Sequence, residues 1–276
     1  MNQVWEKISD IFQCPYTGVP LRLHNDTHTL VGTDNKMSYP IKDGIIDFIP
    51  SNEFTEDKNK YDEIVELYEQ HITHSGYLTK TSNKISWGFI DDFNYVNKII
   101  NYIPKNFNGI LVDIPVGTGS FTYQKYKELQ NTPIIVVDYS FGMLRKAQFN
   151  FKKHGLSNII YIRADVIQLP FKTESIDLLI SMNGLHSFPE KNQPLTEMNR
   201  IVKPKGQFIG SFYVTGKRKL TDFIVTSFYK KKGWFKPPFY TEEQAIHHLS
   251  KHFHFLHHDN LNAMFYFNTL KKRQAY

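Results

Sequence analysis

The amino-acid sequence predicts a doubly wound α/β fold with a mostly parallel sheet, and three observations support this prediction. Five short apolar runs between positions 110 and 214 have the length and composition of buried strands. Segments with apolar residues at helical spacing separate these runs, as expected when crossover helices join parallel strands. The first three runs end at or just before an aspartate, namely Asp113, Asp138 and Asp165. Because ligands of such sheets bind at the carboxyl ends of the strands, these acids indicate the ligand site.

Composition and pattern divide the chain into three parts. Residues 1–50 contain short strands separated by turn residues, which predicts a small β module. Residues 51–105 contain two helical patterns around a polar stretch and predict a helical lid or linker. The α/β core occupies 106–276, with a substrate-side insertion near 215–250.

Cap and turn residues support the elements of the core. Ser140 is placed to cap the helix after the second strand, and Gly155 is placed to end it. Thr241 and Gln244 predict a capping box at the start of a later helix. Alternating residues over 253–268 predict a final antiparallel strand pair that closes the sheet.

A glycine turn follows the first core strand. Gly117 and Gly119 flank one threonine, and glycine allows backbone N–H groups to approach a nucleotide-like ligand closely. The dinucleotide fingerprint requires a third glycine at position 122, which is Thr122. An acid at the strand end followed by this turn therefore favours S-adenosylmethionine (SAM) over NAD.

The composition is that of an ordinary globular chain. The 276 residues are 41% hydrophobic and 22% charged, and the net charge of +6 permits anionic partners without requiring one. Cys14 is the single cysteine, so an internal disulfide and a cysteine-rich metal site are excluded. No apolar run approaches the roughly 20 residues of a membrane span, and the start has no signal-peptide core. We expect a cytoplasmic enzyme or binding protein.

Four motifs in a fixed order carry a family resemblance. They are Val112-Asp-Ile-Pro-Val-Gly-Thr-Gly-Ser, Val137-Asp-Tyr-Ser-Phe-Gly-Met-Leu-Arg-Lys-Ala, Arg163-Ala-Asp-Val-Ile-Gln-Leu-Pro-Phe and Leu195-Thr-Glu-Met-Asn-Arg-Ile-Val-Lys-Pro-Lys-Gly. Together they resemble the motifs of class I SAM-dependent methyltransferases over roughly residues 108–214. The nearest subgroup contains the quinone-biosynthesis C-methyltransferases and many small-molecule methyltransferases. The resemblance implies a seven-stranded Rossmann-like core, SAM as cofactor and S-adenosylhomocysteine as product.

The resemblance also implies roles for individual residues around SAM. Asp138 would accept hydrogen bonds from both ribose hydroxyls, and Asp113 would hold the methionine ammonium. Asp165 would accept from the adenine amino group. The other implied cofactor residues are Met143 on the adenine face, the Val166 backbone, the turn residues Gly117 and Gly119, Pro115, Tyr139 and Asn183. Pro115 departs from the family, which usually has glycine there, so the turn must differ slightly.

The acceptor side leaves alternatives open. His186 lies in a segment resembling the family's "N-x-L-H-x-F-P" and is either a general base or a residue that shapes the loop. Tyr61 and Tyr68 either face the ligands from the lid or are half-buried helix residues. Phe235 and Tyr240 are expected to line the substrate pocket. The lysine-rich helix near 216–235 either contacts an anionic or lipid-like substrate or is a solvated face.

The N-terminal module resembles a zinc-ribbon-like module found ahead of some methyltransferases. Cys14 and the Tyr39-Pro-Ile-Lys-Asp-Gly-Ile segment carry this resemblance, but the second cysteine is replaced by Thr17. Because a structural zinc needs four ligands, we expect the module to be metal-free and no metal elsewhere in the chain.

The sequence thus predicts SAM-dependent methyl transfer to a small molecule, with an aromatic compound, a prenylated compound and a secondary metabolite as the open alternatives. An rRNA base methyltransferase is a rival, although the mild charge and the absent cysteines disfavour nucleic acid. A non-catalytic SAM-binding regulator is a second rival, and a dehydrogenase is the weakest. The acceptor atom and the oligomeric state stay open.

Overall fold

The computed structural model describes residues 3–24, 28–50, 87–88 and 92–273. Its strands are β1 (Leu21–His24), β2 (Thr29–Gly32), β3 (Ser38–Lys42), β4 (Ile45–Asp47), β5 (Leu111–Asp113), β6 (Ile134–Asp138), β7 (Ile159–Arg163), β8 (Ile176–Met182), β9 (Val202–Tyr213), β10 (Phe253–Leu261) and β11 (Met264–Lys271). They form one 11-stranded sheet in the order β1-β2-β3-β4-β7-β6-β5-β8-β9-β11-β10.

The described helices lie before and between the strands. They are α1 (Gln3–Ile8), α2 (Asp92–Ile100), α3 (Tyr123–Tyr126), α4 (Phe141–Lys153), α5 (Asn192–Ile201), α6 (Lys219–Ile224) and α7 (Glu242–Ser250). A π-helical turn, Val225–Tyr229, continues α6, and short 3₁₀ turns cover Ser9–Ile11 and Leu185–Ser187. The predicted caps are confirmed: the Ser140 side chain accepts from the Met143 N–H, and Thr241 and Gln244 form a capping box.

The strands β4, β7, β6, β5, β8 and β9 lie side by side in this order and run parallel to one another. The chain runs from β5 to β6 and β7 toward one edge, and then returns to place β8 and β9 on the other side of β5. The β5–β8 junction is therefore the topological switch point, where such sheets bind ligands. The predicted doubly wound α/β class is confirmed, and β9, β11 and β10 form the predicted antiparallel closure.

The N-terminal module is part of the same sheet. Strand β4 pairs in parallel with β7, with Ile45 opposite Tyr161 and Asp47 opposite Arg163. A further bridge joins Phe12 to the loop after β7. The seven strands expected from sequence correspond to β5–β11, and the sheet is larger because β1–β4 extend its edge.

Two apolar clusters cover the two faces of the sheet. Successive β5 residues Leu111 and Val112 belong to different clusters, as the alternation of side chains along a strand requires. The N-terminal module packs with the cluster that contains Val112, Phe212 and Phe253. The other cluster contains α2 and the segment 225–235. These faces decide which predicted site residues can meet.

Candidate functional site at the carboxyl ends of the parallel strands

Asp138 ends β6 and lies against the glycine turn that follows β5. Its Oδ2 accepts a hydrogen bond from the N–H of Gly117 and its Oδ1 accepts one from the N–H of Ser140, each at 2.9 Å. A carboxylate has about four lone-pair sites, so further sites remain for ligand donors. Burial raises the pKa of Asp138 to about 6, although these N–H groups and Arg163 act in the opposite direction. Above that pH the carboxylate can accept from two neighbouring hydroxyls.

The two glycines of the turn serve different purposes. Gly117 has φ +55°, and a Cβ built on it would meet no heavy atom within 4 Å, so its backbone is open to a ligand. Gly119 has φ +70°, and a Cβ there would lie 2.4 Å from the ring of Phe151. Gly184 is a third glycine that the sequence analysis missed, since a Cβ on it would lie 2.4 Å from Cδ of Pro115. The turn after β5 therefore needs Gly117 for access and Gly119 for packing, and the loop after β8 needs Gly184 for packing against that turn.

Asp113 ends β5 and is 1% exposed. Its Oδ2 accepts hydrogen bonds from Thr122 Oγ1 at 3.1 Å and from the Tyr126 hydroxyl at 2.7 Å. Its Oδ1 is buried and has no hydrogen-bond partner among the described residues. Burial raises the pKa of Asp113 to about 7, and the charge of Asp138 adds to the rise. Because an unpaired buried oxygen is costly, this atom fits a cationic donor such as a ligand ammonium.

The predicted adenine-side residues come from two neighbouring segments. In the loop after β7, Asp165 is half-buried and its Oδ1 accepts from the N–H of Ile167 at 3.1 Å. Val166 packs against the apolar cluster below it. At the start of α4, the half-buried Met143 is held by the hydrogen bond from its N–H to Ser140 Oγ at 3.2 Å. The structure thus supplies apolar and acceptor groups on this side.

A buried ion pair supports this region and was missed from sequence. Arg163 is 7% exposed, and its Nη1 lies 3.4 Å from Oδ2 of Asp47 in the N-terminal module. Its Nε donates to the carbonyl of Tyr139 at 2.9 Å, and its guanidinium lies 5.8 Å from the centroid of the Tyr139 ring. Tyr139 directly follows Asp138, so the module contacts the predicted cofactor site through Arg163. A lone arginine ending an apolar strand was the available signal.

Asn183 follows β8 and has φ +56°. Its Oδ1 accepts hydrogen bonds from the Tyr95 hydroxyl at 2.9 Å and from Ser211 Oγ at 3.1 Å. Tyr95 lies on α2, so this contact joins the segment before the core to the switch-point strand. The sequence predicted Asn183 but neither Tyr95 nor Ser211.

His186 is 5% exposed and is engaged on both its edge and its face. Its Nδ1 accepts from the N–H of Tyr213 at 3.0 Å, and its ring stacks on Phe235 with centroids 3.9 Å apart. Burial, with the charge of Lys191, lowers the pKa of His186 to about 3. The ring is therefore neutral with its proton on Nε2. Because the Nδ1 lone pair already accepts the Tyr213 N–H, neither ring nitrogen is free to take a proton from a substrate. These contacts favour the loop-shaping alternative over a general base.

Lys191 holds the loop after β8 against the insertion. This lysine is 2% exposed, and its Nζ donates to the carbonyls of Phe188 at 3.0 Å and Lys236 at 2.8 Å. Burial lowers its pKa to about 8. It therefore fixes the loop that carries His186 relative to Phe235.

Five aromatic residues form what we call the aromatic cluster. They are Trp87, Tyr213, Tyr229, Phe235 and Phe239. Tyr229 stacks on Phe235 with centroids 5.2 Å apart and on Trp87 at 6.0 Å. Tyr213 lies two residues beyond Ser211 on β9, so the cluster begins about 7 Å along the strand from the Asn183 contact.

Tyr240 does not join this cluster. It packs in the apolar cluster on the other face of the sheet, where its ring stacks on His248 with centroids 4.5 Å apart. Its hydroxyl donates to Asn192 Oδ1 at 3.4 Å. The expectation that Tyr240 and Phe235 line one pocket is therefore not met. Tyr61 and Tyr68 lie outside the described residues.

No group of three or more His, Cys, Asp or Glu residues within the described ranges is arranged to hold a metal ion. Cys14 is buried, and its Sγ lies 3.0 Å from the Tyr39 hydroxyl. Among the residues that the structure describes, no helix has the length and apolarity to cross a bilayer.

The sheet and its switch point define a domain of the doubly wound α/β class, in which ligands bind at the carboxyl ends of the strands. An open glycine backbone, an acid at the next strand end and a buried carboxylate with one unpaired oxygen lie side by side. These groups match the ribose hydroxyls and the ammonium of SAM, so the residues present fit that cofactor.

Comparison with known proteins identifies the domain further. Residues 111–206 match the family described as a methyltransferase domain. An uncharacterized chloroplastic methyltransferase of Arabidopsis thaliana is 30% identical over 117 residues, which are 41% of this chain and 33% of that protein. The ubiquinone/menaquinone biosynthesis C-methyltransferase UbiE of Blochmanniella pennsylvanica is 35% identical over 102 residues, covering 36% of this chain and 40% of that protein.

A SAM-dependent methyltransferase from Aquifex aeolicus has the same fold, with a TM-score of 0.52 at 13% identity, covering 79% of this chain and 100% of that one. The resemblance to class I SAM-dependent methyltransferases is therefore confirmed, and the chain carries a methyltransferase domain of that class. The matched segments span about a third to two fifths of the first curated relatives.

Proposed function

We propose that this protein transfers a methyl group from SAM to an aromatic, lipid-like small molecule. The observation that carries the proposal is the aromatic cluster beside Asn183, next to a site whose buried groups fit SAM. The name of the relative from Blochmanniella pennsylvanica, a quinone-biosynthesis C-methyltransferase, supports an aromatic acceptor of this kind.

The chain's own residues would hold the cofactor in three places. The Asp138 carboxylate would accept from the ribose hydroxyls through the lone pairs that Gly117 and Ser140 leave free. The unpaired Oδ1 of Asp113 would accept from the ammonium. Asp165 and Met143 would provide an acceptor and an apolar surface for the adenine. When bound, SAM supplies an electrophilic methyl group on a sulfonium, and the protein supplies position and electrostatics.

The acceptor would lie against the aromatic cluster. Flat apolar rings there favour an aromatic molecule, because offset and edge-on ring contacts stabilise such pairs by about 0.5–1.5 kcal/mol beyond burial. The ionisable groups of that cluster are the hydroxyls of Tyr213 and Tyr229, and burial raises the pKa of both, so neither is an anionic base at neutral pH. We therefore propose an acceptor such as a phenol or quinol that ionises by itself, with His186 as a residue that positions Phe235.

Turnover with a defined panel of acceptors tests this proposal. Purified protein and SAM are incubated with short-chain prenylated quinols, simple phenols and bulk rRNA, and S-adenosylhomocysteine and methylated products are measured by mass spectrometry. The proposal expects product from a quinol or phenol and none from rRNA. Methylated rRNA alone would establish the nucleic-acid rival, and SAM binding without product from any acceptor would favour a regulatory protein.

Two variants locate the acceptor. Phe235→Leu removes a ring from the cluster, and we expect a KM for the aromatic acceptor raised about tenfold with little change in S-adenosylhomocysteine affinity. Tyr240→Phe is the matched control on the other face of the sheet and should leave KM unchanged. Equal KM values for Phe235→Leu and the wild type would place the acceptor elsewhere.

A further inference from the structure

The outward side of α6 and the π-helical turn after it exposes large apolar side chains. Leu220 is 42% exposed, Phe223 is 66% exposed and Phe228 is 41% exposed. They are three of the eight exposed large hydrophobic side chains among the described residues, within a span of nine residues. Ile224 between them is half-buried. Such a concentration of exposed apolar surface marks an interaction site.

Exposed lysines flank these apolar side chains at both ends. Lys219 precedes them, and Lys230, Lys231 and Lys232 follow them. The acid of this segment, Asp222, faces inward, where it accepts hydrogen bonds from the Tyr213 hydroxyl and from the N–H of Gly216. The outward charge of the segment is therefore positive. We call residues 219–232 the amphipathic segment.

The inner side of the amphipathic segment packs on the candidate acceptor site. Thr221 is 1% exposed and Val225 is fully buried, and Tyr229 on the same side belongs to the aromatic cluster. One short element thus separates the aromatic cluster from the exposed apolar surface. A molecule that partitions into lipid would have to travel only across this element to reach the cluster.

The chemistry of the surface selects one kind of partner. Helices with phenylalanine and leucine on one side and lysines beside them bind in the interface of anionic membranes, with the apolar side chains at the acyl boundary. Long lysine side chains reach the headgroup phosphates while their stems cover apolar surface. An RNA would use the lysines but not Phe223, the most exposed of the three apolar side chains.

We propose that the amphipathic segment docks this protein on an anionic lipid surface, with Leu220, Phe223 and Phe228 at the acyl boundary and the flanking lysines on the headgroups. This inference goes beyond methyl transfer and does not depend on it, since lipid binding is measured without SAM or an acceptor.

Vesicle sedimentation with the full chain tests the docking. We expect the wild type to pellet with vesicles of phosphatidylcholine mixed with phosphatidylglycerol, and to stay in solution with phosphatidylcholine alone. Binding should weaken as salt is raised, because salt screens exposed charges beyond a Debye length. Equal binding to both vesicle types, or binding to neither, would overturn the proposal.

Substitutions in the amphipathic segment, with matched controls, test whether this segment is the lipid-binding surface. Phe223→Ser should weaken partitioning about tenfold by loss of apolar burial. Changing Lys230, Lys231 and Lys232 together to Gln should weaken it about 100-fold, since each lysine near an anionic surface contributes roughly a fivefold factor.

The controls are on α4, which carries a similarly exposed Phe149 and three lysines. Phe149 is 61% exposed, and Lys146, Lys152 and Lys153 lie near it in sequence. Phe149→Ser and the triple change of these lysines to Gln remove the same side chains and the same charge elsewhere. We expect these control variants to bind vesicles like the wild type. Equal losses of vesicle binding in both sets of variants would contradict docking through the amphipathic segment. So would a wild-type protein that is retained on immobilised RNA and does not bind vesicles.

Discussion

The substitution Asp138→Asn tests the ribose contact because it keeps the side-chain shape while removing the charge and one acceptor atom. Both oxygens of Asp138 accept backbone N–H groups, from Gly117 and Ser140, at 2.9 Å. An asparagine has one acceptor oxygen, so one of these N–H groups loses its partner, at a cost of about 1–3 kcal/mol of stability. Replacing the charge-assisted hydrogen bonds to the ribose hydroxyls by uncharged ones should separately weaken the binding free energy by about 3 kcal/mol, or roughly a hundredfold in Kd.

Calorimetric titration with S-adenosylhomocysteine measures the affinity, and thermal unfolding measures the stability of the same sample. Asp177→Asn is the control, because Asp177 accepts the N–H of Ile110 at 2.8 Å and pairs with Lys203 near the amino end of β8, away from the site. This variant should lose stability but keep its affinity. Wild-type affinity in Asp138→Asn, or an equal loss of affinity in the control, would refute the assignment of Asp138.

Three further predictions follow from buried groups of the site. The affinity for S-adenosylhomocysteine should rise as pH rises through about 7, because burial raises the pKa of Asp113 to about 7 and only the ionised carboxylate pairs with the ammonium. Calorimetric titrations across this pH range measure the effect, and the Asp113→Asn variant should lose it. Asp47→Asn leaves the guanidinium of Arg163 with a weaker partner, so we expect about 1–3 kcal/mol lower stability by denaturant unfolding and a several-fold weaker cofactor affinity. Unchanged affinity would show that the N-terminal module does not affect the cofactor site. Gly119→Ala should cost at least about 2 kcal/mol by the same method, since its φ is +70° and the added Cβ would lie 2.4 Å from the Phe151 ring; a neutral effect would contradict the turn geometry.

The strand-end acids and the caps could be predicted from sequence because they depend on local patterns. Asp113 and Asp138 each follow an uninterrupted apolar strand, and in a parallel sheet such ends meet at one edge. Ser140 caps α4 through a contact three residues away. Information of this kind lies within a few residues of the position concerned.

The missed contacts join residues that are distant in sequence. Asp47 and Arg163 are 116 positions apart and meet because β4 pairs with β7, a pairing that no local period encodes. Phe235 and Tyr240 are close in sequence, yet they pack on opposite faces of the sheet. The role of His186 depends on the N–H of Tyr213 on β9, so residue type alone left both a general base and a loop-shaping residue open, and the contacts favour the second.

Binding of SAM, S-adenosylhomocysteine and NAD, compared by calorimetric titration of the purified wild-type protein, tests the central claim most directly. The arrangement of Asp113, Asp138 and the glycine turn predicts saturable binding of the first two at a Kd in the micromolar range, and no binding of NAD. Absence of binding by both SAM and S-adenosylhomocysteine, or tighter binding of NAD, would contradict the assignment of this site to SAM.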